Sequence, residues 1–379
     1  MIRYTFPKFI KCTIPKKAIS IADKSYKLPL DIKKCLHHTY IDSHGKPPKV
    51  GTNPIFDEYE QLFDTSDELR FIDPGIADDT ESKIRESGKL GRGIARYILS
   101  EYYDLIWFAK IQNLLLEPYK GWTVERPKKG GNTPDWFISN GKRTFCLGEA
   151  KGTHSKIDLD SDQVKKWRSQ CTNLVVKKNK IKKKLKSWLI ATRFVDEYNK
   201  DKPEQLIEDP ILQGEEINEN DFASLNQYII KNHLSESLFR LSNFQLGLKI
   251  GNENLYSENQ NIRTWRPILN EIKHLLFIGK PFGHVNLPFS YWHWKEFLEY
   301  STEPDFWEGF QESYELSLGY TYFDGISVGV LENFLTKKSY SPLEINEINL
   351  EKYPFVSLLS DGNLIIPMSL MRPDKLIKL

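Results

Sequence analysis

The period at which apolar residues recur changes along this chain, and the changes mark out its elements. Ile94, Ile98, Leu105 and Phe108 recur at helical spacing between Gly91 and Ile111, which predicts an amphipathic helix. Trp122 to Arg126 reads as a first strand, followed by a flexible loop over 127–131. Apolar runs on either side of Ser139, Asn140 and Gly141 predict a β-hairpin between Asp135 and Lys151. Ser161 is placed to cap a second helix, whose Val164, Trp167, Cys171 and Leu174 form one apolar stripe. Trp188 to Val195 is a β-rich apolar run that closes this part of the chain.

The flanks read differently. Residues 1–80 are rich in Pro, Lys and Asp with short β-like runs, and are expected as an N-terminal extension or small domain. Residues 198–221 look like an acidic linker or insertion. Beyond them, 222–379 alternates helical runs such as Ser224 to Phe239 with strand-like pieces such as Leu318 to Val330, and is aromatic from Trp292 to Phe323. That part is expected as an α+β domain for recognition or oligomerisation, with its aromatics mainly in the core. At 379 residues the chain exceeds one compact core, so the α/β unit over 81–197 is expected to be one domain among several.

Charge narrows the partners. The net charge is +2, so any affinity for nucleic acid has to come from local patches. The obvious patch is Lys177 to Lys186, with seven lysines in ten residues, among them Lys177, Lys178 and Lys180. Lys156, Lys165 and Lys166 lie nearer the hairpin and are further candidates for phosphate contact. Cys12, Cys35, Cys146 and Cys171 show no paired spacing, which points to a reducing compartment. Cys35, His37, His38 and His44 match no standard zinc module. No apolar stretch approaches bilayer length, so a cytoplasmic protein without membrane contact is expected.

The hairpin carries the chemistry. Asp135, Glu149 and Lys151 bring two carboxylates and an amine into one short unit. Mg²⁺ prefers hard oxygen ligands and needs only one or two protein carboxylates beside phosphate oxygens. Asp135 and Glu149 suit that role. Lys151 suits orientation of an attacking water or stabilisation of charge on a phosphate. Glu149 and Lys151 are two apart, so on a strand they share a face with Phe145 and Leu147, while Ala150 turns to the other. Where Asp135 lands depends on the turn. A two-residue Asn140-Gly141 loop pairs it with Cys146, on the face opposite Glu149. A three-residue Ser139-Asn140-Gly141 loop, with Gly141 left-handed, pairs it with Phe145 and puts all three groups on one face. This bulged hairpin is the prediction.

Pro134-Asp135, thirteen intervening residues, then Glu149-Ala150-Lys151 together resemble the signature of the PD-(D/E)XK nuclease superfamily. The resemblance implies a restriction-endonuclease-like αβββαβ core, a mixed sheet flanked by helices. It implies Mg²⁺, with Mn²⁺ able to substitute, held by Asp135, Glu149 and the Ala150 backbone carbonyl, in an enzyme that hydrolyses DNA. Related nucleases often carry a Glu on the first helix. Glu101 is the matching candidate here, and it has no basic neighbour at helical spacing. Some use a Gln from the second helix. Gln163 and Gln170 lie seven apart there, but the usual Gln-x-x-Tyr form is missing, and both read as solvated. Restriction enzymes and bacterial anti-phage effectors attach such cores to variable flanks. DNA is therefore the expected partner, in a homodimer or a larger assembly with other defence subunits. A ribonuclease with the same core, or a non-catalytic binding subunit, are the alternatives.

Overall fold

The computed structural model describes residues 8–13, 26–43, 62–64, 68–73, 75–114, 118–126, 132–142, 144–209, 217–251, 261–283, 321–337, 343, 350, 353 and 356–379. The chain divides into two compact units, Met1–Ser43 with Tyr59–His233, and His44–Glu58 with Leu234–Leu379.

The first unit runs through β1 (Lys8–Thr13), β2 (Tyr26–Leu30), α1 (Ile32–Asp42), β3 (Arg70–Phe71), α2 (Thr80–Tyr103), β4 (Trp107–Lys110), β5 (Trp122–Glu125), β6 (Trp136–Ser139), β7 (Phe145–Thr153), α3 (Asp162–Thr172), β8 (Val175–Lys178), β9 (Ile181–Lys182), β10 (Lys186–Arg193), β11 (Val195–Asp196), β12 (Glu204–Glu208) and the start of α4 (Glu219–Arg240). Seven of these strands form one mixed sheet in the order β2-β1-β12-β10-β7-β6-β4. Within it β6 is antiparallel to both β4 and β7, and β7 is parallel to β10. The fold is mixed α/β, as expected.

Several boundaries differ from expectation. The helix expected over 91–111 stops at Tyr103, because Asp104 turns left-handed at φ 56° and the Leu105 amide folds back to Leu99 O at 2.9 Å. Trp107–Lys110 then runs as a strand beside β6, with Trp107, Phe108 and Ala109 all buried. Their apolar spacing fits the helix pattern as well as a strand buried on both faces. Trp122–Glu125, expected as the first strand of the hairpin's sheet, instead pairs with β8 in a separate sheet of β5, β8 and β9. The segment 1–80 gives β1 and β2 to the large sheet, and its α1 packs on α2. The segment 198–221, expected as a linker, supplies β12 to the same sheet, with Gln205 and Leu206 fully enclosed.

Other expectations match. Ser161 caps α3 by accepting the Val164 amide at 3.3 Å, and Val164, Trp167, Cys171 and Leu174 are buried. Val164 and Trp167 pack on Leu189, Ala191 and Leu206 of the sheet. The other face meets α2 without a side-chain cushion. A Cβ on Gly91 would lie 2.7 Å from the Gly152 nitrogen, and one on Gly152 would lie 1.8 Å from Ser87 O. Glycine at both positions lets the helix rest on the backbone just beyond Lys151.

The second unit contains an antiparallel six-stranded sheet of β13 (Asn261–Pro267), β14 (Phe277–Gly283), β15 (Thr321–Ser327), β16 (Ser357–Leu358), β17 (Asn363–Pro367) and β18 (Met371–Lys378), ordered β16-β17-β15-β14-β13-β18. Trp265, Phe277, Phe323, Leu364 and Met371 belong to its core. The Arg240 guanidinium is buried against both oxygens of Asp324, each at 3.0 Å, and against Asn363 Oδ1 at 2.6 Å. Of the aromatic run, Tyr322 and Phe323 are buried in this unit, while Trp292 to Tyr320 lie outside the described residues. Among the described residues no helix is long and apolar enough to cross a membrane.

Candidate active site

The hairpin register is neither of the two expected. Trp136 lies opposite Gly148 and Ser139 opposite Phe145, and just before the paired stretch the Asp135 amide donates to Gly148 O at 2.9 Å, so Asp135 meets neither Phe145 nor Cys146. The connecting loop is longer because side chains hold it open. Asn140 Oδ1 accepts the amides of Lys142 and Thr144, and Ser139 Oγ accepts the Gly141 amide at 2.8 Å. Ser139 Oγ also donates to Asn226 Oδ1 at 2.6 Å, and Asn226 Nδ2 donates to Lys142 O. Gly141 is left-handed at φ 74°, as predicted. The paired residues shift from the predicted register by an even number, and Asp135 is brought toward Glu149 through its carboxylate bond to the Ala150 amide.

At this end of the sheet β6 stops while β7 continues. Asp135 Oδ2 accepts the Ala150 amide at 2.9 Å. Along an extended strand one residue's N–H and C=O point to the same side, so the Ala150 carbonyl also turns toward the place where β6 has ended. Lys151 Nζ pairs with Glu149 Oε1, while Glu149 Oε2 is buried with no hydrogen-bond partner among the described residues. Burial, then the Asp135 charge, pushes Glu149 up to about 8, and Lys151 only partly counters this. Burial likewise raises Asp135, against the lowering effects of the Ala150 amide and Lys151. Two enclosed carboxylates thus oppose each other's charge, with the Lys151 amine on Glu149 and the second Glu149 oxygen unsatisfied among the described residues.

Sequence reasoning missed a second cluster beside this pair. Asp42, the last residue of α1, is buried. Its Oδ2 accepts Arg92 Nε at 2.6 Å and its Oδ1 accepts Trp136 Nε1 at 3.1 Å, with Arg96 Nη1 at 3.6 Å. Burial works to raise Asp42, but the Arg96 and Arg92 charges outweigh it and hold the carboxyl low. Asp135 and Glu149 add their charges to that of Asp42 in keeping Arg92 protonated. The only advance signal was an Arg beside Gly91 on an apolar helix, which carries no information about a carboxylate fifty residues earlier.

The remaining expected residues separate. Glu101 pairs with Lys34 at 2.7 Å, and at 1.5 Å rise per residue it lies about 15 Å along α2 from Gly91, so it is not brought to the carboxylates. Gln163 is exposed as read, whereas Gln170 is buried with its Oε1 unpartnered, because the helix turns it toward the sheet beside Cys171. Lys156, Lys165, Lys166 and Lys180 are exposed. The lysine run folds largely as the β8–β9 hairpin, with Asn179 and Lys180 at φ 49° and 71° in the turn. Lys177 pairs with Glu125, Lys178 pairs with Asp221 at 3.5 Å and bonds Lys120 O at 2.7 Å, and Lys183 is buried, so the run presents fewer free charges than its composition suggests. Cys35, His37 and His38 are enclosed in α1, and His44 lies outside the described residues. No group of three or more His, Cys, Asp or Glu side chains is arranged for a metal ion among the described residues.

Comparison with protein families, curated proteins and solved structures gives no match for this chain.

Proposed function

We propose that this protein is a Mg²⁺-dependent nuclease of the PD-(D/E)XK kind that hydrolyses DNA phosphodiester bonds. The observation that carries the reading is the convergence of Asp135, Glu149 and Lys151 at the end of β7, with Glu149 Oε2 buried and unsatisfied. A hard cation fits that donor set: two carboxylates whose charged forms are opposed by burial and by each other, and the Ala150 carbonyl turned to the same edge. Asp135, Glu149 and the Ala150 carbonyl would hold Mg²⁺ or Mn²⁺, which when bound supplies charge neutralisation and makes water more acidic.

The protein's own groups account for the rest. Lys151 is partly exposed, at 26 % of its side chain, and can shift from Glu149 to a phosphate oxygen or to an attacking water. The Ala150 amide fixes the Asp135 carboxylate, so little reorganisation is needed on binding. The element order α2, β4, β6, β7, α3, β10 also agrees with an αβββαβ core, with three antiparallel strands and a fourth parallel to the third. Exposed Lys156, Lys165, Lys166 and Lys180 are available to phosphates. Cutting both strands of a duplex takes two such sites, so the proposal includes a homodimer, and a role in anti-phage defence is its biological extension.

The test is cleavage of supercoiled, linear and single-stranded DNA, and of matched RNA, in Mg²⁺ and Mn²⁺. Wild-type protein should cut DNA and stop in EDTA. Asp135→Asn, Glu149→Gln and Lys151→Ala should each lose at least about a hundredfold in rate. Cutting of RNA alone would move the reading to a ribonuclease. Intact substrates throughout, or unimpaired variants, would overturn it.

A further inference from the structure

We propose that Arg92 binds a non-bridging oxygen of the scissile phosphodiester, and that Asp42 positions it to do so. This rests on the nuclease reading for its substrate, but on different residues for its argument.

Arg92 occupies the turn of α2 that lies against the motif strand. Its neighbour Gly91 abuts the backbone of Lys151 and Gly152. Its Nε is held by Asp42, and Asp42 in turn holds the Trp136 indole, next in the chain to Asp135. The guanidinium is therefore tied to residues adjoining the carboxylates, on the sheet face of Gly148 and Gly152, and the charges of Asp135 and Glu149 reach it. Asp42 has a side-chain exposure of 3 %, Arg96 and Trp136 flank it, and its backbone carbonyl accepts Lys110 Nζ at 2.8 Å, so its position is fixed from several directions.

Among the described residues, Arg92 is held through its Nε edge. Neither Nη has a hydrogen-bond partner among the described residues, and 33 % of the side chain is exposed. A planar guanidinium anchored through one edge presents its other N–H groups in a set direction, the geometry that suits a phosphate oxygen. Arg240, by comparison, is 3 % exposed and uses Nε and Nη2 on Asp324 and Asn363. The proposal also gives the N-terminal segment a task, since α1 brings the residue that aims Arg92.

The experiment uses full-length wild type, Arg92→Ala, Arg92→Lys and Asp42→Asn. Binding of a fluorescein-labelled DNA duplex is followed by anisotropy in Ca²⁺ over a range of salt, and cleavage is followed in Mg²⁺. Arg92→Ala should bind about tenfold more weakly, with the salt slope reduced by about one. Asp42→Asn should raise KM more than it lowers kcat. Should Arg92→Ala fail to fold by circular dichroism, Arg92→Lys decides, since it keeps the charge but loses the fork and should still bind more weakly at an unchanged melting temperature. Wild-type affinity, salt slope and cleavage in Arg92→Ala, or in Arg92→Lys where it stands in, would overturn the proposal and leave the nuclease reading intact. Arg92-dependent binding without any cleavage would keep Arg92 as a backbone-phosphate contact, but would remove the nuclease reading and with it the scissile assignment. A wild type that neither binds nor cuts would end both.

Discussion

Asp135 Oδ2 accepts the backbone N–H of Ala150 across the strand pair, at 2.9 Å. A side chain thereby takes the amide that the backbone of β6 has left, and its carboxylate is fixed beside β7 before any ligand arrives. The two acids and Lys151 behave as one electrostatic unit, and its protonation has measurable consequences.

The first concerns pH. Glu149 sits at about 8 in the fold against 4.5 when unperturbed. Between those values the folded chain keeps a proton that the unfolded chain has released, so metal-free stability falls as pH rises through this window and levels off above it. Glu149→Gln removes the effect. Thermal melts in EDTA should show the variant's advantage growing from nothing near pH 4 to on the order of a few kcal/mol above pH 8. An advantage that does not vary with pH would contradict this origin.

The seam between α2 and β7 gives the second. Gly152→Ala drives a methyl group against Ser87 O, which belongs to the helix backbone and cannot swing away. Overpacking of this kind costs about 1–3 kcal/mol, and the melting temperature of the first unit should fall by several degrees. Lys151 precedes this residue, so nuclease activity should drop further than the remaining folded fraction explains.

Asp324→Ala is the third. It leaves the Arg240 guanidinium enclosed without its carboxylate, a loss of about 3–5 kcal/mol. Limited proteolysis should cut the second unit, Leu234–Leu379, much faster in the variant. Unchanged cleavage kinetics would show that Arg240 does not depend on this pair.

The lysine-rich hairpin gives the fourth. Lys180 is exposed in the turn, while Lys177 already pairs with Glu125. Lys180→Ala should lower the salt slope of DNA binding by about one, and Lys177→Ala by less, in the same anisotropy titrations. The reverse order would mean that the Glu125 pair opens on binding.

Local features of this fold were legible in the chain. The Ser161 cap, the stripe from Val164 to Leu174 and the shared face of Glu149 and Lys151 all follow from spacing within a few residues. What escaped depends on distant partners. The hairpin register is set by Ser139 and Asn140 with help from Asn226 on α4, so loop length alone misled. Trp107–Lys110 joined the preceding helix because Leu105 and Phe108 continue its period, whereas the left-handed Asp104 decides the break. Arg92 drew no notice because Asp42, which gives it a direction, comes from α1.

β1 lies parallel to β12, with Lys11 opposite Glu204, so the earliest strand of this sheet in chain order is secured by its latest. During synthesis Asp135, Glu149 and Lys151 leave the ribosome before that clasp exists. A nascent chain halted ahead of Glu204 therefore carries the whole motif while β1 and β2 lack their seat in the sheet, and completion of the scaffold waits on translation reaching Glu208.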